Sequence, residues 1–171
     1  VGMCAMQSAR LFGAGKVIAL DLSQKRLDYA MAQGLCDDVI LCGEGSVEQQ
    51  IRSLTQGRGA DAVIECAGNA DSFQTAWQIA RPNAVVAIVA MYEQPQTLPL
   101  QRMYGKNLIF KTGGVDATQC SRLMRLIETG KLSTGFLISH RAPLNDILEG
   151  YRVFEKKLDN CIKWVVTPYE R

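Results

Sequence analysis

The chain has 171 residues and a formal net charge of +2, with 47% hydrophobic and 21% charged residues. This length fits about one domain, and the composition can bury a core, which excludes an intrinsically disordered chain. The small charge gives no basic footprint for nucleic acid or an anionic membrane, and no apolar run reaches the roughly 18 residues of a membrane span. We therefore expect a globular protein that has neither nucleic acid nor membrane as a partner.

Short apolar runs alternate with helical patterns through residue 112. Apolar runs of this kind are typical of strands buried in a parallel sheet. The predicted strands span 16–21, 39–42, 61–66, 84–91 and 108–112. The predicted helices span 3–12, 23–34, 46–55 and 71–80. Ser23 and Ser46 are expected as helix N-caps, Pro82-Asn83 as the turn before the fourth strand, and 92–106 as irregular.

The alternation loosens after residue 114. We predict helices over 118–129 and 144–157 and strands over 136–139 and 161–166. Strands separated by helices indicate an α/β protein with a doubly wound, Rossmann-like parallel sheet. Such a sheet supports many functions, so the function must be inferred from particular residues.

Six cysteines lie at positions 4, 36, 42, 66, 120 and 161, most of them within apolar runs. Cysteine in such runs behaves as a small hydrophobe, and the spacings of zinc-binding cysteine pairs are absent from the sequence. His140 is the only histidine. We therefore predict no metal site in this chain and a reducing, cytoplasmic location.

Asp21 ends the first predicted strand. An acidic side chain at this point of a doubly wound sheet can accept the ribose hydroxyls of NAD. An aspartate that caps the next helix is the alternative. Val1-Gly2 stands before the first helix, about 20 residues earlier, where the last glycine of a G-x-G-x-x-G fingerprint belongs. The chain begins without an initiator methionine or a signal peptide, so we expect a truncation inside that fingerprint.

Small residues end the third and fourth predicted strands, at Cys66-Ala67-Gly68 and at Ala90-Met91. Small side chains there leave room for a ligand in the crevice of the sheet, although simple turns explain them equally well. Nucleophile patterns are missing from the sequence, because Ser139-His140 has no identifiable acidic partner. Asp37-Asp38 is expected to be a solvated loop pair.

Several segments occur in a characteristic order. They are Val1-Gly2 with Asp21, Asp61-Ala-Val-Ile-Glu-Cys-Ala-Gly68, Lys111-Thr-Gly-Gly114, Ile138-Ser-His-Arg-Ala-Pro-Leu144 and Phe154-Glu-Lys-Lys157. Together they resemble the carboxyl-terminal half of zinc-type medium-chain alcohol dehydrogenases, and the resemblance covers the whole chain. It implies hydride transfer between an alcohol or carbonyl and NAD or NADP.

The resemblance also implies a set of cofactor-binding residues. Val1 would pack on the nicotinamide and Gly2 would lie by the pyrophosphate. Asp21 would hold the adenosine ribose, with Arg26 beside it. Because Leu22 rather than arginine follows Asp21, NAD is favoured over NADP.

The remaining implied contacts come from later segments. Ala67 and Gly68 would line the crevice, and Val89, Ala90 and Met91 would meet the edge of the nicotinamide. Lys163 would lie near the cofactor phosphates. The resemblance implies no catalytic residue and no metal ligand in this chain, since the family's zinc ligands lie upstream in a catalytic domain.

The resemblance divides the chain into two parts. Residues 1–113 would form a dinucleotide-binding, Rossmann-like domain truncated at its start. Residues 114–171 would return to the missing catalytic domain. The family's first strand is central in the sheet, so a sheet lacking it should have a slot between the strands at 16–21 and 39–42 and the other three.

Two functions follow as hypotheses. The first is the cofactor-binding half of an NAD(P)-dependent zinc-type alcohol dehydrogenase, inactive alone. The second is a non-catalytic Rossmann-like remnant or interaction module that dimerises, with the slot filled by a partner or an exchanged strand. Family dimers pair through the strand that follows 84–91, so Thr97–Leu100 favours a homo-oligomer.

Overall fold

The computed structural model describes residues 1–114 and 117–169. The predicted carboxyl-terminal segment includes 115–116 and 170–171, which lie outside the described residues. The helices are α1 (Gly2–Leu11), α2 (Gln24–Ala32), α3 (Val47–Leu54), α4 (Ala70–Ile79), α5 (Leu100–Met103), α6 (Cys120–Glu128) and α7 (Ile147–Glu155). The strands are β1 (Ile18–Asp21), β2 (Asp38–Leu41), β3 (Ala60–Glu65), β4 (Ala80–Ile88), β5 (Ile109–Thr112), β6 (His140–Pro143) and β7 (Trp164–Thr167). Within the described ranges, every helix is too short or too polar to cross a bilayer.

The strands form three parallel sheets. β1 pairs with β2, β3–β4–β5 form a second sheet in that order, and β6 pairs with β7. The predicted α/β class and the predicted separation of the first two strands from the next three are both confirmed. Each of the first two sheets therefore has a strand edge, on β1 and on β3, that pairs with no described strand.

Side chains join the two sheets where backbone hydrogen bonds do not. Ile40 of β2, Ile51 of α3 and Ile79 of α4 are almost completely buried and form one cluster. Ile18 of β1 and Val63 of β3 pack against it from the two sheets. Isoleucine suits both the strands and this core, because its branched side chain fills a pleated, buried surface.

The fourth strand begins earlier than predicted. Ala80 directly follows α4 and pairs with Ala60, and the register shifts before Val85 pairs with Ala62. Pro82-Asn83 therefore lies in an irregularity within β4, and the predicted turn before the strand was wrong. Asn83 adopts a φ of +61°, which asparagine tolerates better than most residues.

The predicted strand over 136–139 was wrong. A short 3₁₀ turn covers Gly135–Leu137, and the strand follows at His140–Pro143. Phe136 packs against the core of α1, α2 and β1, and its carbonyl accepts a hydrogen bond of 2.7 Å from the Tyr29 hydroxyl. This apolar run anchors the turn to distant helices, and local pattern cannot distinguish that role from a strand.

Three other expectations also differ. A four-residue helix, α5, interrupts the predicted irregular segment, and a 3₁₀ turn over Leu144–Asp146 precedes α7. Asp37 accepts hydrogen bonds from Arg10 at 2.7 Å and from the Val17 amide at 2.6 Å, so it is not merely solvated. The Arg10 guanidinium holds the pKa of the Asp37 carboxyl below its usual range.

Candidate functional site

The carboxyl end of β1 holds the Asp21 carboxylate. Its Oδ1 atom accepts a 2.9 Å hydrogen bond from the Ser23 amide, which is the local bond expected of the capping alternative. Its Oδ2 atom has no hydrogen-bond partner within 1–114 and 117–169. Ser23 occupies the N-cap position of α2 without a side-chain capping bond, and Arg26 is exposed in the first turn. One carboxylate oxygen of Asp21 can therefore receive a hydroxyl.

The first helix begins beside the carboxyl end of β3. A Cβ atom placed on Gly2 would lie 3.9 Å from the Cβ atom of Cys66. In the described part of the chain, α1 has no side-chain cap and no acidic residue in its first turn. The first amides of a ten-residue helix therefore point to this end of the sheet without a capping side chain, beside exposed Val1.

The predicted residues after β3 and β4 meet each other. Gly68 adopts a φ of +77°, and a Cβ atom there would lie 2.6 Å from the Met91 carbonyl oxygen and 3.2 Å from the Ala90 Cβ atom. The amides of Val89 and Ala90 donate to the Glu65 carbonyl oxygen at 2.9 and 3.3 Å. Exposed Ala67 lies next to this contact. Six of the predicted residues, including Gly2, therefore border the carboxyl ends of β3 and β4.

Glu65 is a site residue that sequence reasoning missed. It ends β3 with 4% of its surface exposed. Its Oε1 atom accepts from the amides of Ala67 at 2.7 Å and Gly68 at 3.0 Å, and its Oε2 atom accepts from the Tyr92 hydroxyl. An acid in an apolar strand was the available signal, because such a group requires partners when it is buried.

Opposing effects set the ionisation of this group. Burial raises the pKa of Glu65. The hydrogen bonds from Tyr92, Gly68 and other donors together lower the pKa by more than burial raises it, so the net pKa lies below the ordinary value. Burial and the Glu65 charge both raise the pKa of the Tyr92 phenol. At neutral pH the pair is therefore a carboxylate that accepts from a neutral hydroxyl.

This arrangement predicts an acid-dependent contribution of Glu65 to stability. Because its pKa is lower in the folded state, its stabilisation is complete above the ordinary carboxyl pKa and is lost as the pH falls through the folded value. Urea unfolding of Glu65→Gln should therefore differ most from the unmodified chain at pH 7, and the difference should shrink below about pH 4. Exposed Glu44→Gln is the control. A difference that is constant over this range would contradict the prediction.

Lys163 lies apart from the other predicted residues. It precedes β7, and its carbonyl oxygen accepts from the amides of Ser139 and His140 at 3.1 and 3.2 Å. No contact recorded among the described residues joins it to the ends of β3 or β4. The fold therefore brings six of the predicted residues to the ends of β3 and β4, whereas Asp21 and Arg26 lie at the end of β1 and on α2, and Lys163 lies before β7.

A hydrogen-bonded network joins the side chains of Ser139, His140 and Asp159. His140 Nδ1 lies 2.9 Å from Ser139 Oγ, and Nε2 lies 3.1 Å from Asp159 Oδ2. The Ser139 hydroxyl accepts from the amides of Ile162 at 2.9 Å and Lys163 at 3.2 Å, and it donates to the Lys163 carbonyl. An oxygen held by these backbone groups fastens β6 to β7 and is not presented as a nucleophile.

Metal ligands do not cluster in the described part of the chain. No three His, Cys, Asp or Glu side chains among these residues are arranged to hold a metal ion. The described residues therefore do not fit a zinc site, and no chemical step through zinc can be assigned to them.

Residues 1–129 match the family described as zinc-binding dehydrogenases. The chain belongs to this family. It is 30% identical to an alcohol dehydrogenase of Cupriavidus necator, with 99% of the chain and 47% of the relative covered. It is 31% identical to the NADP-dependent isopropanol dehydrogenase of Thermoanaerobacter brockii, with 97% of the chain and 49% of the relative covered.

Solved structures of dehydrogenases share this family fold. An alcohol dehydrogenase from Thermus sp. ATN1 superposes with a TM-score of 0.91 at 27% identity, covering 99% of this chain and 48% of that one. Zinc dependent alcohol dehydrogenase 2 from Streptococcus pneumonia gives 0.90 at 25% identity, covering 99% and 50%. The predicted Rossmann-like fold and the resemblance to zinc-type alcohol dehydrogenases are confirmed. The chain spans about half the length of the relatives that it matches.

Proposed function

We propose that this chain binds NAD across the carboxyl ends of β1, β3 and β4, as the cofactor-binding half of a zinc-type alcohol dehydrogenase. The observation that carries the proposal is the Asp21 carboxylate, which ends β1 with one oxygen already oriented by Ser23 and the other without a described partner. Such an oxygen can accept a ribose hydroxyl, with Arg26 beside it on α2. A bound nicotinamide would supply hydride chemistry.

The start of α1 supports a place for the pyrophosphate. The amides of its first turn have no side-chain cap in the described residues, and the positive end of the helix dipole attracts anions. Gly2 and Val1 would lie against the pyrophosphate and the nicotinamide. The small residues Ala67 and Gly68 and the segment Val89–Met91 would border the nicotinamide half.

Titration calorimetry with NADH tests the proposal directly. The chain should show saturable binding with a dissociation constant in the millimolar range or below. An absence of saturable binding in that range would count against a dinucleotide site here. The Lys163 backbone is hydrogen-bonded to Ser139, apart from the other proposed residues. Its contact with the cofactor phosphates stays a prediction.

The Asp21 charge should select NAD over NADP, because it repels a 2′-phosphate. Asp21→Asn keeps an acceptor for the Ser23 amide but removes the charge. We expect Asp21→Asn to weaken NADH binding by roughly tenfold and to reduce the ratio of the affinity for NADH to that for NADPH. Asp28→Asn, on the exposed face of α2, is the matched control and should leave both affinities unchanged. Equal affinities of the unmodified chain for NADH and NADPH would overturn this assignment.

The proposal extends to activity and location. The chain spans about half of its relatives, and we infer that the chain alone binds the cofactor without oxidising an alcohol. Measurable zinc-dependent turnover of a simple alcohol by this chain would overturn that inference. All six cysteines are unpaired, which supports a reducing, cytoplasmic location.

A second candidate function is association through strand edges. β1 and β3 each carry an edge that pairs with no described strand, and such edges favour pairing with another chain. On this alternative the chain is an interaction module that forms a homodimer. Light scattering of the purified chain decides it, since a monodisperse monomer would eliminate the homodimer.

A further inference from the structure

The Glu65 side chain connects the loops that follow β3 and β4, in addition to the hydrogen bonds from the Val89 and Ala90 amides to its backbone carbonyl. Its side chain accepts from the amides of Ala67 and Gly68, which begin the loop after β3. The same carboxylate accepts from the hydroxyl of Tyr92, which lies beyond the end of β4. The two loops are therefore fastened to one buried charge.

Several contacts fix this connection. The Tyr92 ring meets Phe73 of α4 edge to face, with 5.9 Å between ring centroids and an interplanar angle of 81°. Gly68 approaches the Met91 carbonyl so closely that no side chain fits between them. The packing of the Tyr92 ring on Phe73 therefore holds its hydroxyl at the carboxylate, and the two loop backbones touch at Gly68 and Met91.

A buried carboxylate is a costly way to join two loops. Apolar residues of similar volume often stabilise a fold at least as well, whereas a charge with several donors fixes one geometry. The fixed geometry here is that of the segments Ala67–Gly68 and Ala90–Met91. Both border the crevice at the carboxyl ends of the strands, where ligands of doubly wound sheets bind.

We propose that Glu65, through Tyr92, is a positioning residue that sets the spacing of these two loops for the nicotinamide half of the dinucleotide. This inference rests on the proposed function. Asp21 would hold the adenosine ribose at β1, and the two halves of a dinucleotide lie on opposite sides of the crevice. The loops after β3 and β4, on the other sheet, are therefore left for the nicotinamide half.

Two ligands that differ only in the nicotinamide half test the inference. NADH and ADP-ribose share the adenosine and the pyrophosphate, but ADP-ribose lacks the nicotinamide. Tyr92→Phe removes the hydroxyl that donates to Glu65 and keeps the ring that packs on Phe73. We expect it to weaken NADH binding by about five- to tenfold and ADP-ribose binding by less than about twofold. Tyr104→Phe, at a tyrosine that is 96% exposed, is the matched control.

The outcomes separate positioning from general stability. An equal loss for both ligands, or an unchanged affinity for NADH, would overturn the inference while leaving the proposed function intact. Failure of the unmodified chain to bind either ligand would overturn both. Should Glu65→Gln fold poorly, Tyr92→Phe still decides the question, because its loss of one hydroxyl spares the two amide hydrogen bonds. Urea unfolding of each variant verifies that the folded chain is being titrated.

Discussion

Replacing Gly68 by alanine is expected to lower the free energy of unfolding by about 2–4 kcal/mol. Two effects add. The φ of +77° is strained for any residue with a Cβ atom, and that atom would lie 2.6 Å from the Met91 carbonyl oxygen. Backbone cannot move aside as a flexible side chain can, so the loops after β3 and β4 would have to separate.

Urea unfolding measures this effect, and Gly105→Ala is its control. Gly105 has a similar φ of +86°, but a Cβ atom there meets nothing within 4 Å. Gly105→Ala should lower the free energy of unfolding only through the strained backbone conformation, by about 1 kcal/mol. Equal losses in the two variants would show that the close approach to Met91 contributes nothing.

Replacing Lys106 by methionine is expected to lower the free energy of unfolding by about 2–4 kcal/mol, because half-buried carbonyl groups lose their donor. Lys106 Nζ donates to the carbonyls of Trp77 at 2.9 Å, Gln78 at 2.6 Å and Ala80 at 2.9 Å. These carbonyls lie at the end of α4, where helices have no internal donors left. The Lys106 ammonium also lies 5.5 Å from the centre of the Trp77 ring.

Thermal and urea unfolding of Lys106→Met measure this loss. Lys25→Met, at an exposed position on α2, removes the same charge and should change stability by less than about 0.5 kcal/mol. A loss in Lys106→Met no greater than in this control would mean that water replaces the ammonium at the end of α4 without penalty.

The sequence predicts the fold well where short apolar runs alternate with helical patterns. The strands Ile18–Asp21 and Ala60–Glu65 were placed within a residue or two, and the separation between them was implied by the family resemblance. The irregularity at Pro82-Asn83 was missed, because its cause is the pairing of Ala80 with Ala60, which lies 20 residues away. Local pattern carries no information about such register.

The candidate site was predictable in the same uneven way. Asp21 and Gly68 were predicted from residue type, since an acid at a strand end suits a ribose and a small residue leaves room for a ligand, and both stay predictions. Glu65 was overlooked, because its meaning depends on Tyr92, 27 residues further along the chain. Asp159 was missed as the partner of His140 for the same reason, since side-chain hydrogen bonds between distant segments leave no periodic trace in a sequence.

The three-isoleucine core has a consequence for cooperativity. Backbone hydrogen bonds do not join β1 to β3 among the described residues, so the two sheets meet through α1 and through the side-chain cluster centred on Ile40, Ile51 and Ile79. The attraction between packed side chains weakens when they separate by a fraction of an ångström. A hydrogen-bonded strand pair, by contrast, would join the two sheets residue by residue. We therefore expect the two sheets to open separately, and a change of side-chain volume at these isoleucines to alter how strongly one opening is linked to the other.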